Sequence, residues 1–233
     1  MSTLTNLFTP NFMLLQTTFF LTTWLTLHLL VATHGPYPSI STLTKYNSRF
    51  YSLISLLLFL LIISPFPSHD VLAREAYHLS KMYEYLDIFG VVLSGGKVDL
   101  HFGVHHATTV WLTWVRVLRE GCEGWKWFAG ANAAHHVLMY AYFGGWNGER
   151  VRRVLLVTGQ GQLVAGMVVD AVVGWGRWNR GEEVWRMGVS GGLLGLYMGL
   201  SLRELRVGRR VRAGEVNEEV REEVEGVKGV KGE

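Results

Sequence analysis

The chain has 233 residues, 49% of them hydrophobic, and a formal charge of +3 at pH 7. One cysteine, Cys122, excludes an intrachain disulfide framework. The mean hydropathy of +0.19 fits a small membrane protein or a very apolar soluble one, and long uncharged runs argue against a nucleic-acid binder.

Residues 11–33 carry no charged side chain, and residues 52–66 are almost entirely Leu, Ile, Ser and Phe. A bilayer span needs about 20 predominantly apolar residues. No Lys or Arg precedes the first run and no small-residue cleavage site follows it, so it is expected to persist as a first span rather than be removed as a signal peptide. Pro65 and Pro67 end the second run, and glycine pairs at 95–96 and 144–145 mark turns. In chain order the expected spans are about 12–33, 50–66, 71–93, 98–118, 125–143, 154–175 and 184–202. The third holds Arg74, Glu75, Lys81, Glu84 and Asp87, and its alternative reading is an amphipathic cytosolic helix. The expected class is an all-α membrane protein, with residues 1–203 as a seven-span domain. Residues 204–233 alternate Val and Gly with charges, lack the apolar bulk for a core, and are expected to form a disordered tail.

Orientation follows from basic residues, which favour the cytosolic flanks of spans. With seven spans, the side that carries Lys45, Arg49, Lys97, Arg150, Arg152, Arg153 and the Arg-rich start of the tail holds the larger share. That side, and with it the C-terminus, is expected to be cytosolic. The basic stretch from Arg203 to Arg212 also suits anionic membrane lipid.

On this layout the polar residues of four helices fall at overlapping depths, since a helix rises 1.5 Å per residue. Span three carries Lys81, Glu84 and Asp87, three residues apart and drifting slowly around one face. Span four carries His101 and His105, which stack four apart, and His106 about 100° away. Span five carries Asn132, His136 and Tyr140 at successive fours, with His135 beside them. Span six carries Thr158, Gln160 and Gln162. Polar groups at membrane depth are costly and point to function, and their common depth predicts one shared polar chamber near the cytosolic face. Glycines 159, 161, 166 and 174 in span six and 188, 191, 192, 195 and 199 in span seven read as close helix packing. His28, His34, His69 and His78 have no motif around them and read as loop or interface residues, and His135 reads as a packed one. Trp125, Trp146 and Trp175 read as interfacial anchors.

These motifs, in this order, resemble the ELO family of fatty-acid elongases. The family pattern runs K-x-x-E-x-x-D, H-x-x-H-H, N-x-x-x-H-x-x-M-Y and then a Thr/Gln motif. Lys81, Glu84 and Asp87 match the first, and Asn132, His136, Met139 and Tyr140 match the third. Arg152, Arg153, Thr158 and Gln162 look like a shortened fourth, with Gln160 displaced. The resemblance covers about residues 79–168. One departure stands in the second motif: His105 and His106 fall on the paired histidines, but Phe102 occupies the first histidine position and His101 lies one residue early. Ile88 also replaces the Thr that usually follows the Asp.

The resemblance implies a seven-helix ring around a substrate tunnel in the endoplasmic reticulum membrane. The implied reaction condenses malonyl-CoA with a long-chain acyl-CoA to a 3-ketoacyl-CoA and carbon dioxide. It implies His105 as nucleophile, with His106 and His136 as base or orienting partners. Lys81, Glu84, Asp87, His101, Asn132, Tyr140, Thr158 and Gln162 are the expected substrate-binding and charge-network residues. Lys97, Arg150, Arg152, Arg153 and Arg203 are available for the anionic CoA. No metal and no cofactor beyond the two CoA substrates is implied; lipid and other enzymes of the elongation cycle are the expected partners, with oligomeric state left open. Two rivals stand beside this reading. One is a catalytically impaired elongase-like protein, on account of Phe102. The other is a di-iron membrane desaturase or hydroxylase, for which five well-placed imidazoles are few and the Lys/Glu/Asp motif has no use.

Overall fold

The computed structural model describes residues 8–118 and 123–206. These residues are helical throughout, with no strand among them. The helices are α1 (Pro10–His34), α2 (Ser39–Ile62), α3 (Asp70–Tyr83), α4 (Tyr85–Leu93), α5 (Leu100–Thr113), α6 (Trp125–Phe143) and α7 (Glu149–Asn179), followed by α8 over 185–206. A π-helical turn, Trp114–Leu118, extends α5, and a 3-10 turn, Pro67–His69, precedes α3.

Local chemistry sets the helix ends. The Thr9 hydroxyl accepts from the Phe12 N–H, and Pro10 takes the first turn of α1, where a missing donor is harmless. Asp99 caps α5 by accepting from the Phe102 N–H at 2.7 Å. Gly124 opens α6 at φ +73, a conformation that disfavours side chains; an added Cβ there would also sit 2.6 Å from Val169.

Expected and observed elements differ in four places. Helix α2 starts at Ser39, well before the expected second span at 50, because the polar stretch that includes Lys45 and Arg49 continues the helix. The third expected span is two helices, broken at Glu84. The break is stabilised from outside: the Tyr51 hydroxyl of α2 lies 2.8 Å from the Ser80 carbonyl and 3.0 Å from Glu84 Oε1, so a neighbouring side chain serves the backbone where the helix is interrupted. The sixth expected span is longer than its apolar stretch, because charged first and last turns continue the helix to Glu149 and Asn179. Glu204 to Arg206 extend α8 rather than begin a tail, and the remainder of the expected tail, 207–233, lies outside the described residues.

Helix α2 runs along α6, α6 packs on α7, and α1 covers α4 and α5. One apolar core joins Ile62, Tyr77, Leu112, Phe128, Ala129, Leu163, Leu194 and Tyr197; a second joins Met13, Phe20, Tyr85, Ile88 and Val110. The distribution of polarity is inverted relative to a water-soluble bundle. Leu15, Phe19 and Leu25 on α1, Leu57 on α2 and Val157 and Val172 on α7 are exposed, while Glu75, Lys81, Glu84, Arg116, His136 and Asp170 are buried. A contiguous apolar exterior belongs in an apolar solvent. Two helices, Pro10–His34 and Glu149–Asn179, are each long and apolar enough to cross a membrane. The protein is a membrane protein.

Candidate active site

The site is built where α3, α6 and α7 meet, at the break beside Glu84. Lys81 and Glu84 are one helical turn apart and both nearly fully buried, at 2% and 1% exposure. Their ion pair is 2.6 Å long. Lys81 Nζ donates to Asn132 Oδ1 at 2.7 Å and lies 4.9 Å over the Tyr77 ring, while the Tyr77 hydroxyl donates to the same Asn132 oxygen at 2.7 Å. An ammonium only donates, so Asn132 must turn its oxygen to Lys81. Its amide nitrogen therefore faces His136 Nε2 at 3.2 Å and Gln162 Oε1 at 2.8 Å. His136 Nε2 is then an acceptor, and the proton sits on Nδ1, which donates to Glu84 Oε1 at 3.0 Å.

The other expected residues divide into neighbouring groups. Asp87 and Tyr140 hydrogen-bond each other one turn along, with the Tyr140 ring edge-on to Tyr51 and 5.5 Å from the His136 ring. On α5, the His105 and His106 ring centroids are 5.4 Å apart, and Glu84 lies within electrostatic reach of both. His105 Nδ1 and His106 Nδ1 are buried and have no hydrogen-bond partner among the described residues. His105 packs edge-on to Tyr197 of α8 at 4.8 Å. His101 lies 5.9 Å from His105 on the same side, whereas Phe102 packs edge-on to His106 at 4.5 Å and against the α1–α4 core. Thr158 stands apart from Gln162; it bonds His135 Nδ1 at 2.9 Å. Gln160 faces α8 and bonds Ser201 at 2.6 Å.

Two network residues and one buried histidine escape a motif-based reading. Tyr77 could have been found, since it sits four residues before Lys81 on the same helical face. Tyr51 carries no such signal, because it comes from another helix. His78, expected at a loop or interface, is instead fully buried. Its Nδ1 lies 2.8 Å from Thr113 Oγ1, and the Phe8 ring stacks edge-on at 4.6 Å. Four residues separate it from Arg74 on a face that sequence alone leaves unassigned. At the start of α7, Glu149 holds Arg152 at 2.8 Å and Arg153 at 3.3 Å. Those two cations pull the exposed Glu149 carboxyl down to about 2. Lys97, Arg150 and Arg203 are exposed.

The sequence profile of the ELO (GNS1/SUR4) family matches residues 11–155. The chain belongs to this family. The match takes in α1 to α6, and with them Lys81, Glu84, Asp87, His105, His106, Asn132, His136 and Tyr140; Thr158, Gln162 and α8 lie beyond it. Among curated relatives, Fatty acid elongase A of Dictyostelium discoideum is 30% identical over 119 residues, an alignment that covers 42% of each chain. The match thus spans under half the length of that relative. No solved structure matches the chain. Among the described residues no three His, Cys, Asp or Glu side chains are grouped so that they could hold a metal ion.

Proposed function

We propose that this ELO-family member is a 3-ketoacyl-CoA synthase of fatty-acid elongation, condensing malonyl-CoA with a long-chain acyl-CoA. In this reading the helical segments form seven membrane spans around a tunnel for the acyl chain. The C-terminus lies in the cytosol and the membrane is that of the endoplasmic reticulum. The observation that carries it is the dry, fully connected Lys81–Glu84–Asn132–His136–Gln162 network beside two imidazoles with unpartnered nitrogens.

In the proposed chemistry His105 attacks the acyl thioester carbonyl; an acyl-imidazole forms, and the C–S bond breaks to release CoA. Malonyl-CoA then loses carbon dioxide, and the resulting enolate carbon attacks the acyl carbonyl. A C–C bond forms and the imidazole leaves. Negative charge develops on the thioester oxygen of the enolate, where donors already in place are most effective. Gln162 offers its amide N–H groups, since Asn132 occupies its oxygen. Both nitrogens of His136 are engaged, by Glu84 and Asn132, so His136 serves as an orienting group and the free nitrogens of His105 and His106 serve the chemistry. The separate Lys97, Arg150 and Arg203 cations would meet the CoA phosphates at the mouth.

The test is incubation of purified protein with labelled malonyl-CoA and acyl-CoA of several lengths. Formation of a labelled 3-ketoacyl-CoA that His105→Ala abolishes supports the reading. A second reading, an elongase-like protein without condensation, draws on Phe102, which turns toward the α1–α4 core and fills space beside His106. Absence of product at every acyl length in folded protein would favour it. In that case Phe102→His, if it restores product, would identify the cause.

A further inference from the structure

Condensation through an acyl-imidazole leaves one proton to be found. When the thioester C–S bond breaks, the proton of the neutral His105 imidazole goes to the departing CoA thiolate. Malonyl-CoA loses carbon dioxide and becomes an enolate without supplying a proton. Its attack on the acyl group expels the His105 ring as an imidazolate. Each turnover must therefore take up one proton from water. The central network is poorly placed to give it. Lys81 is held by Glu84 and Asn132, and both nitrogens of His136 are held by the same two residues. His106 is only 5% exposed, and Phe102 packs edge-on to its ring.

His101 is placed differently. It lies in the first turn of α5, two residues after the exposed Asp99 cap, and both it and His105 are half-buried. Their ring centroids are 5.9 Å apart on one helical face, close enough for proton transfer through one water. Helix α8 runs antiparallel beside this face. The Tyr197 hydroxyl lies 2.7 Å from Thr108 Oγ1, and the Tyr197 ring packs edge-on to His105. Seven residues onward in α8 and seven back in α5 lead to Glu204 and His101, which lie within electrostatic reach of each other, as do Asp99 and His101. An imidazolium at His101 thus has two carboxylates facing it. The exposed Lys97, Asp99 and Arg203 mark this end of α5 and α8 as the one that meets water. A histidine one residue later would turn about 100°, to where Phe102 packs against the α1–α4 core. The early position of His101 is what keeps its ring on the His105 side.

We propose that His101 is the proton donor of the second half-reaction, taking a proton from water beside Asp99 and Glu204 and handing it to the His105 ring as the 3-ketoacyl product leaves. The transfer restores neutral His105 and leaves His101 neutral, so one proton is consumed per turnover and the charges balance. The assignment rests on the condensation reading above. It also separates the two half-reactions: acyl transfer to His105 needs no proton from His101, and carbon–carbon bond formation does.

The experiment uses the purified full chain with labelled long-chain acyl-CoA, first alone and then with malonyl-CoA. His101→Gln keeps a polar side chain that cannot carry a proton, and His101→Ala leaves space for added imidazole. Both variants should form the acyl-protein adduct at the unaltered rate. Both should lose about a hundredfold in kcat, the lower end for a positioned acid, with KM for either CoA substrate unchanged. Free imidazole should restore turnover of His101→Ala, which a purely structural loss would not allow. Unchanged turnover in both variants, loss of the adduct together with turnover, or a loss that imidazole does not repair overturns the proposal. Product without any adduct in the unaltered protein also overturns it while leaving condensation standing. No product from the unaltered protein refutes the condensation reading, and this proposal with it.

Discussion

The interior holds two buried ionic groups that differ in how completely they are satisfied. Around Lys81 and Glu84 every charge has several partners: Lys81 touches Glu84 and Asn132, and Glu84 Oε1 receives Lys81, His136 and Tyr51. Around Arg116 and Asp170 a single 2.5 Å contact links the two, and two nitrogens and one oxygen are left over. A buried pair breaks even only when further hydrogen bonds satisfy its remaining atoms. The first group is therefore a rigid, preorganised assembly with one arrangement. The second leaves buried polar atoms without partners and is replaceable by apolar side chains.

Breaking the first group should have the largest effect. Glu84→Gln removes the charge that compensates Lys81 and is expected to cost about 3–5 kcal/mol, the range for one partner of a buried pair. Thermal unfolding in detergent measures it, and an unchanged midpoint would remove the claim that the network is rigid and interdependent. The rescue test sharpens the contrast. Arg116→Met alone leaves a buried carboxylate and should lower stability by about 3 kcal/mol, near the lower end of that range. Adding Asp170→Leu should restore most of the loss, because both charges then disappear. The corresponding double change Lys81→Met/Glu84→Leu should not recover, since Asn132, His136 and Tyr51 each lose a partner. Recovery in both pairs would erase the difference between the two regions.

Smaller effects probe individual bonds. Asn132→Leu keeps the volume but removes one partner each from Lys81, Tyr77, His136 and Gln162, and is expected to cost about 1–3 kcal/mol for the groups left unsatisfied. A double-mutant cycle with Gln162→Leu should show coupling, because the two side chains share a 2.8 Å hydrogen bond; strictly additive losses would place them in separate networks. The smallest change is His135→Phe, which removes only the bond to Thr158 and should shift stability by about 1 kcal/mol. A loss of the size expected for Asn132→Leu would bring His135 into the central group.

Much of the candidate site is legible in the amino-acid sequence. Lys81 and Glu84 are three apart, and Asn132 and His136 are four apart, so local helical geometry already puts each pair on one face. The match of depth between helices then brings α3, α6 and α7 together at Gln162. The limits are equally specific. A continuous 71–93 helix is the natural reading of an apolar stretch, and the break at Glu84 depends on Tyr51, contributed by α2. Thr158 sits one helical turn from Gln162, yet it bonds His135 instead of the central network. His78 reads as a stray histidine and is instead sealed between α3, α5 and the Phe8 ring.

Composition and periodicity alone determined the helical class, the apolar exterior and the facing of side chains within each helix. Those properties follow from backbone repeat and from transfer free energy, which act within one segment at a time. Which proton rests on His136, which oxygen Asn132 presents, and whether a buried charge is fully partnered were decided only by the tertiary structure. Hydrogen bonds and ion pairs are short-ranged and directional, and here their partners come from helices far apart in the chain: Lys81 with Asn132, Tyr51 with Glu84, and Arg116 with Asp170.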